Sequence, residues 1–209
     1  MRQGFGLNEK FIISSILYFL ALINPASKIF LLCSIDPRPS RRESVSLAVK
    51  STLVAFIILL AVTAIGSPLL KNVFHVELYS LKVAGGVVLF LVGLSAVQRG
   101  RFHESAQRGK PDDLSIVPLG APLIAGPGTI TAAISFSSEE GFFLAALAMT
   151  IALILNFILM LVAFPIGRQL ERIHATGPLV RITGLIVAAV AAQIIFDGLS
   201  EWLKRAPKF

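Results

Sequence analysis

Lys28 and Asp197 are ionisable side chains set inside stretches that are otherwise apolar enough to cross a bilayer. A lysine or aspartate within a span costs roughly 2.5–3.5 kcal/mol on insertion scales unless it pairs, snorkels or meets water. Two roles are open to Lys28: its ammonium holds a substrate carboxylate, or it snorkels from the latter part of its span to the cytoplasmic interface. Asp197 follows Gln193 by four residues and so shares its helix face. It either carries a coupling proton or is a solvated interfacial acid near the outer end of the last span. Asn156, in mid-span, either hydrogen-bonds substrate or ties two helices together.

A second kind of chemistry needs no charged side chain. Asn24-Pro25-Ala26-Ser27 and Gly126-Pro127-Gly128-Thr129 put helix breakers inside apolar runs. Proline lacks a backbone donor and clashes with the preceding turn, and in hydrocarbon every freed backbone group needs a partner. Asparagine caps helices and proline suits the first helical position, so a half-helix is expected over Ala26–Ile35 and another through Thr129–Phe136. Each start presents unpaired N–H groups and the positive end of a helix dipole, which together hold a carboxylate. Gly128 leaves room for a ligand at the backbone, and Ser27, Thr129 and Thr131 add hydroxyls. The alternative is a pair of kinks relieved by neighbouring side chains. Interruptions in corresponding spans of two halves favour a substrate site at the membrane midplane.

The elements that must position these groups follow from composition. The chain has 209 residues, is 55% hydrophobic and only 15% charged, and its mean hydropathy is +0.80. That is a polytopic, all-α membrane protein. Six apolar segments run over Phe11–Ile35, Val45–Leu70, Tyr79–Val97, Leu114–Phe136, Phe142–Pro165 and Leu179–Leu203, joined by short connections except the polar linker Gln98–Asp113. Asn24-Pro25 answers to Gly126-Pro127, Pro68…Lys71 to Pro165…Arg168, and Lys82…Gly85 to Arg181…Gly184. The expected plan is two three-span repeats, residues 1–97 and 114–209, with a broken first helix in each. With three spans apiece, the repeats lie inverted in the membrane. Gly184, Ala188 and Ala192 form a small-residue stripe that reads as close helix packing.

The cations set the orientation. Arg38, Arg41, Arg42, Lys50, Arg99, Arg101, Arg108, Lys110, Arg168 and Arg172 fall on one side. The other side has fewer, and its loop Ser137–Gly141 carries Glu139 and Glu140. The richer side should be cytoplasmic, which makes residues 98–113 a cytoplasmic linker and leaves both termini outside. The same placement at span ends explains the net charge of +7 without a nucleic-acid partner. The single cysteine, Cys33, excludes an intramolecular disulfide, and no Cys/His spacing suggests a metal. No phosphate-cradling loop, HExxH or His/Asp/Ser constellation points to an enzyme or to a cofactor.

Pro118-Leu119-Gly120-Ala121-Pro122-Leu123-Ile124-Ala125-Gly126-Pro127-Gly128-Thr129-Ile130 resembles the signature of the MarC family of integral membrane proteins. Asn24-Pro25-Ala26-Ser27-Lys28-Ile29-Phe30 is similar to that family's first-span motif. Ala84-Gly85-Gly86-Val87-Val88-Leu89-Phe90 and Arg181-Ile182-Thr183-Gly184-Leu185, with Gln193 to Gly198, resemble its third and sixth spans. Phe30 departs from the pattern, standing where many members have a second proline. The resemblance implies six spans in the cytoplasmic membrane of a bacterium or archaeon. It also implies transport of small neutral amino acids such as glycine, alanine and serine, with coupling to protons. A homo-oligomer is compatible with all of this.

The competing class is a passive small-solute channel, since Asn24-Pro25-Ala26 spells the motif on which aquaporin half-helices meet. Against it, the second break is Gly-Pro-Gly, and the first lies inside a span. A structural membrane subunit is the third reading.

Overall fold

A helix satisfies its own backbone donors and acceptors, which is why apolar runs in lipid take that form. The computed structural model describes residues 9–33, 40–100, 124–163 and 176–205. Its helices are α1 (Glu9–Ile23), α2 (Pro25–Cys33), α3 (Arg41–Asn72), α4 (Leu78–Arg99), α5 (Pro127–Glu140), α6 (Phe142–Leu161) and α7 (Thr176–Arg205). Among the described residues, five stretches are long and apolar enough to cross a membrane, the first of them containing the break between α1 and α2. The fourth expected span is represented by α5 alone. Its 14 residues extend about 21 Å, less than a hydrocarbon core of roughly 30 Å. The first ten residues of that segment, 114–123, lie outside the described residues, as do most of the linker, 101–113, and the stretch 164–175 that holds Pro165 and Arg168.

The ends of these helices have local causes. Ser40 and Glu43 form a reciprocal capping box that starts α3. The expected loop Ser137–Gly141 is not a loop: α5 runs on through Glu140. Gly141, at φ 92°, turns the chain within one residue, so α6 begins at Phe142 and everything before the glycine stays helical.

Lipid is as apolar as leucine, so spans associate by close packing and internal polar contacts rather than by hiding apolar surface. α4 and α7 pack antiparallel along small residues. A Cβ on Gly93 would stand 2.7 Å from Ala188 N and 2.8 Å from Gly184 O, and one on Gly198 would stand 2.8 Å from Tyr79 O. Gly184 and Ala188 lie in this seam as expected, but Ala191, fully buried, takes the place expected of Ala192. α1 packs on α6, α5 on α3 and α4, and α3 on α6. Phe136 of α5 meets Phe19 of α1 edge-on at 5.6 Å and stacks on Phe11 at 6.1 Å.

The bundle carries its polarity inside. Ser51, Thr63, Thr129, Thr131, Ser135 and Asn156 are buried, while Leu53, Ile57, Leu91, Leu185, Phe196 and Leu203 are exposed. Several of these hydroxyls donate to their own helix, as Ser51 does to Leu47 O at 2.7 Å and Thr63 to Leu59 O at 2.6 Å.

Candidate functional site

The first break closes on itself. Asn24 adopts φ 52°, a left-handed conformation that asparagine tolerates better than most residues. Its N–H donates to Leu20 O at 2.9 Å and finishes α1. Its side-chain oxygen accepts from Ser27 N at 3.4 Å, and its carbonyl accepts from Ser27 N at 3.1 Å and from Ser27 Oγ at 2.7 Å. One residue therefore caps both helices. Pro25 has no N–H and that of Ser27 is taken, so Ala26 N–H is the first-turn donor that this start does not cap itself.

The Lys28 side chain is folded into the bundle rather than extended along its surface. It is 1% exposed, and its ammonium donates back across the break to the carbonyl of Ile23, the last residue of α1. A cation belongs at that position, because the α1 C-terminus presents the negative end of its dipole and a carbonyl without a helical partner. This burial favours a role inside the bundle over snorkelling.

The second break is built differently. Gly126 is an extended N-cap without a side-chain cap, and Pro127 opens α5. Ile130 N donates to Gly126 O at 2.9 Å. The Thr129 hydroxyl donates to Ile124 O at 2.7 Å and to Gly126 O at 3.1 Å. It thus fixes the incoming chain rather than capping the helix. Among the described residues no side chain satisfies the N–H groups of Gly128 and Thr129 as a cap would. The space over Gly128 belongs to Leu89 of α4, two of whose carbons lie 2.7 and 2.8 Å from where a Cβ would stand.

From that start an antiparallel seam between α5 and α4 runs toward one end of the bundle. Gly128 faces Leu89, Thr131 fits against Gly85 with no room for a side chain there, and Glu139 accepts from Lys82 Nζ at 2.5 Å. Beside the seam lies a cavity of about 240 Å³, whose polar walls are Tyr18, Lys82, Thr131, Ser135, Glu139 and Asp197. Ala132, Phe136 and Ile194 complete it. Lys82 is only 7% exposed and also donates to Glu201 of α7. Asp197 accepts from Gln193 Nε2 at 2.9 Å, the contact expected from their spacing. The Ser135 hydroxyl is buried without a hydrogen-bond partner among the described residues.

The structure thus brings two of the expected residues, Thr131 and Asp197, onto one cavity. Asn24, Pro25, Ala26, Ser27 and Lys28 stay at the first break, and Gly126, Pro127, Gly128 and Thr129 at the second; none of them lies on the cavity wall. Asn156 is fully buried in α6, with Nδ2 3.5 Å from Met160 Sδ and its oxygen unpartnered among the described residues. Tyr18, Lys82, Ser135, Glu139 and Glu201 were not expected at a site. The spacing Thr131, Ser135, Glu139 is one helical stripe and marks a polar face of α5. The pairing of Lys82 with Glu139 and Glu201, across 57 and 119 residues, carries no such local signal.

Comparison with known proteins gives a consistent answer. The model described as "MarC family integral membrane protein" matches residues 9–203. A UPF0056 membrane protein of Pyrococcus horikoshii is 35% identical over 189 residues, covering 90% of this chain and 93% of that one. The UPF0056 membrane protein YvbG of Bacillus subtilis is 28% identical over 200 residues, 90% and 94% of the two chains. The UPF0056 inner membrane protein YhgN of Escherichia coli is 26% identical over 204 residues, 95% and 100%. No solved structure matches.

Proposed function

Because this chain belongs to the MarC family of integral membrane proteins, we propose that it is a secondary transporter of small neutral amino acids of the glycine, alanine and serine class. The observation that carries the reading is the start of α5. It is a helix N-terminus whose N-cap Gly126 is buried and which no described side chain caps, four residues before Thr131 on the wall of a small cavity lined by charges of both signs. A zwitterion suits that setting: N–H groups and a positive dipole end for its carboxylate, and carboxylates further out for its ammonium. The self-capped start of α2 serves the fold, and the carboxylate site is assigned to α5.

Two finer features belong to the same proposal. The inverted repeat is supported by how elements pair. α4 meets α7, α3 meets α6, and the α1–α6 contact is answered by the contact of α5 with α3. Both termini are outside, on the cation count in the connections. Transport in this reading is not enzymatic.

The test is countertransport. Liposomes containing the purified protein and unlabelled alanine should take up labelled alanine saturably, with glycine and serine competing. Osmotic swelling without saturation would mean a channel, and neither behaviour would mean a structural subunit.

A further inference from the structure

We propose that the cavity between α1, α4, α5 and α7 is a binding site for a primary ammonium group on a small organic ligand, with Asp197 as the group that receives it. The proposal rests on the transport reading for the identity of the ligand as an amino acid; the ammonium site itself follows from the walls.

The charges around the cavity do not balance. Among the described residues the one ammonium on its wall, Lys82, is shared between Glu139 and Glu201. Asp197 is left with a neutral amide, that of Gln193 at 2.9 Å, and pairs with no cation among the described residues. Among the described residues one cation and two carboxylates line the cavity, Glu201 is a third carboxylate on that same cation, and the excess favours a further positive charge. A second observation points into the same space. Ser135 is 7% exposed, lines the cavity, and its hydroxyl has no partner among the described residues. A buried hydroxyl without a partner costs free energy, and an N–H donor of a ligand supplies what it lacks.

The walls also decide what carries the charge. A Ca²⁺ or Mg²⁺ ion takes six or more oxygen ligands, and among the described residues no group of three metal-ligating side chains comes together. Ala132, Phe136 and Ile194 on the same walls suit a hydrocarbon body instead. At about 240 Å³ the space falls below the range of roughly 300–1,000 Å³ that takes drug-sized ligands. The fitting ligand is a primary ammonium on a few carbons.

The full-length protein in lipid nanodiscs is titrated with n-propylammonium chloride, L-alanine, sodium lactate and sodium chloride, with the thermal midpoint as readout. Propylammonium and alanine should stabilise saturably. Lactate, which is alanine with a hydroxyl for the ammonium, should not. Asp197→Asn keeps an acceptor for Gln193 and should weaken both ligands by about ten-fold or more. Ser135→Ala removes a hydroxyl that bonds to no described residue and should weaken both by about three-fold. Undiminished affinity in both variants, equal binding of lactate, or saturable stabilisation by sodium chloride alone would overturn the proposal. So would an Asp197→Asn protein that keeps full alanine affinity and loses only pH-driven uptake, which assigns Asp197 to a proton. Propylammonium binding that depends on Asp197, with alanine neither bound nor exchanged, would keep the ammonium site and remove amino-acid transport. Alanine exchange indifferent to both variants would do the reverse.

Discussion

The Leu89 side chain occupies the space that the missing side chain of Gly128 leaves open, 2.7 Å from where its Cβ would stand. Anything that reaches the start of α5 from the cavity must move Leu89 aside. Gly128→Ala should therefore cost about 1–3 kcal/mol of stability by overpacking. Leu89→Ala should cost about 2–5 kcal/mol by opening a void. In the double variant the new methyl fills part of that void, so the costs should add to clearly less than their sum. Thermal midpoints of the four proteins make the test, and strict additivity would mean the two residues do not meet. On the transport reading, Leu89→Ala should also admit larger amino acids in countertransport.

Lys82→Met leaves Glu139 and Glu201 facing each other without their shared cation. Breaking a fully buried pair costs about 3–5 kcal/mol. The two carboxylate side chains are 47% and 33% exposed, so water screens them and the expected loss is about 1–2 kcal/mol. Adding Glu139→Gln and Glu201→Gln should recover most of it. A triple variant as unstable as Lys82→Met would show that the lysine acts through packing and not through charge.

Lys28→Met removes the donor on the Ile23 carbonyl and should destabilise the protein by about 1–3 kcal/mol. Affinity for alanine should stay within about three-fold. The opposite pattern, unchanged stability with a large loss of affinity, would put the substrate carboxylate on Lys28.

Asn24 is held by two independent requirements, a left-handed backbone and a side-chain cap. Asn24→Ala should lose both and cost about 2 kcal/mol or more. Asn24→Gly keeps the backbone freedom and should cost less. Equal losses in unfolding measurements would mean the backbone conformation contributes little.

A reporter active only in the cytoplasm, fused at Phe209, should be silent, while one inserted within Gln98–Asp113 should be active. The reverse result would invert the bundle and place the cavity on the cytoplasmic side.

Much of this architecture was legible in the chain, because membrane helices announce themselves by length and apolarity. Asn24-Pro25 marked a break, Gly184 and Ala188 marked a packing seam, and the spacing of Gln193 and Asp197 marked a contact. Each of these is a local relation. What stayed hidden depends on distant residues or on a single dihedral angle. Glu139 read as part of a loop because nothing before Gly141 shows how sharply that glycine turns the chain. Lys28 read as bound for substrate or interface because the Ile23 carbonyl needs a partner only once the helix has broken. Gly128 read as open space because Leu89 comes from another helix.

Lys82 also sets a problem of timing. Its carboxylate partners lie 57 and 119 residues further along the chain. At about 5–20 residues per second, roughly 3–11 seconds separate the synthesis of the lysine from that of Glu139, and about 6–24 seconds separate it from that of Glu201. Throughout that interval α4 must enter the bilayer with a cation near one end and no counter-charge. The nascent first half is then less stable in lipid than it will finally be, and the arrival of the second half completes the insertion of the first.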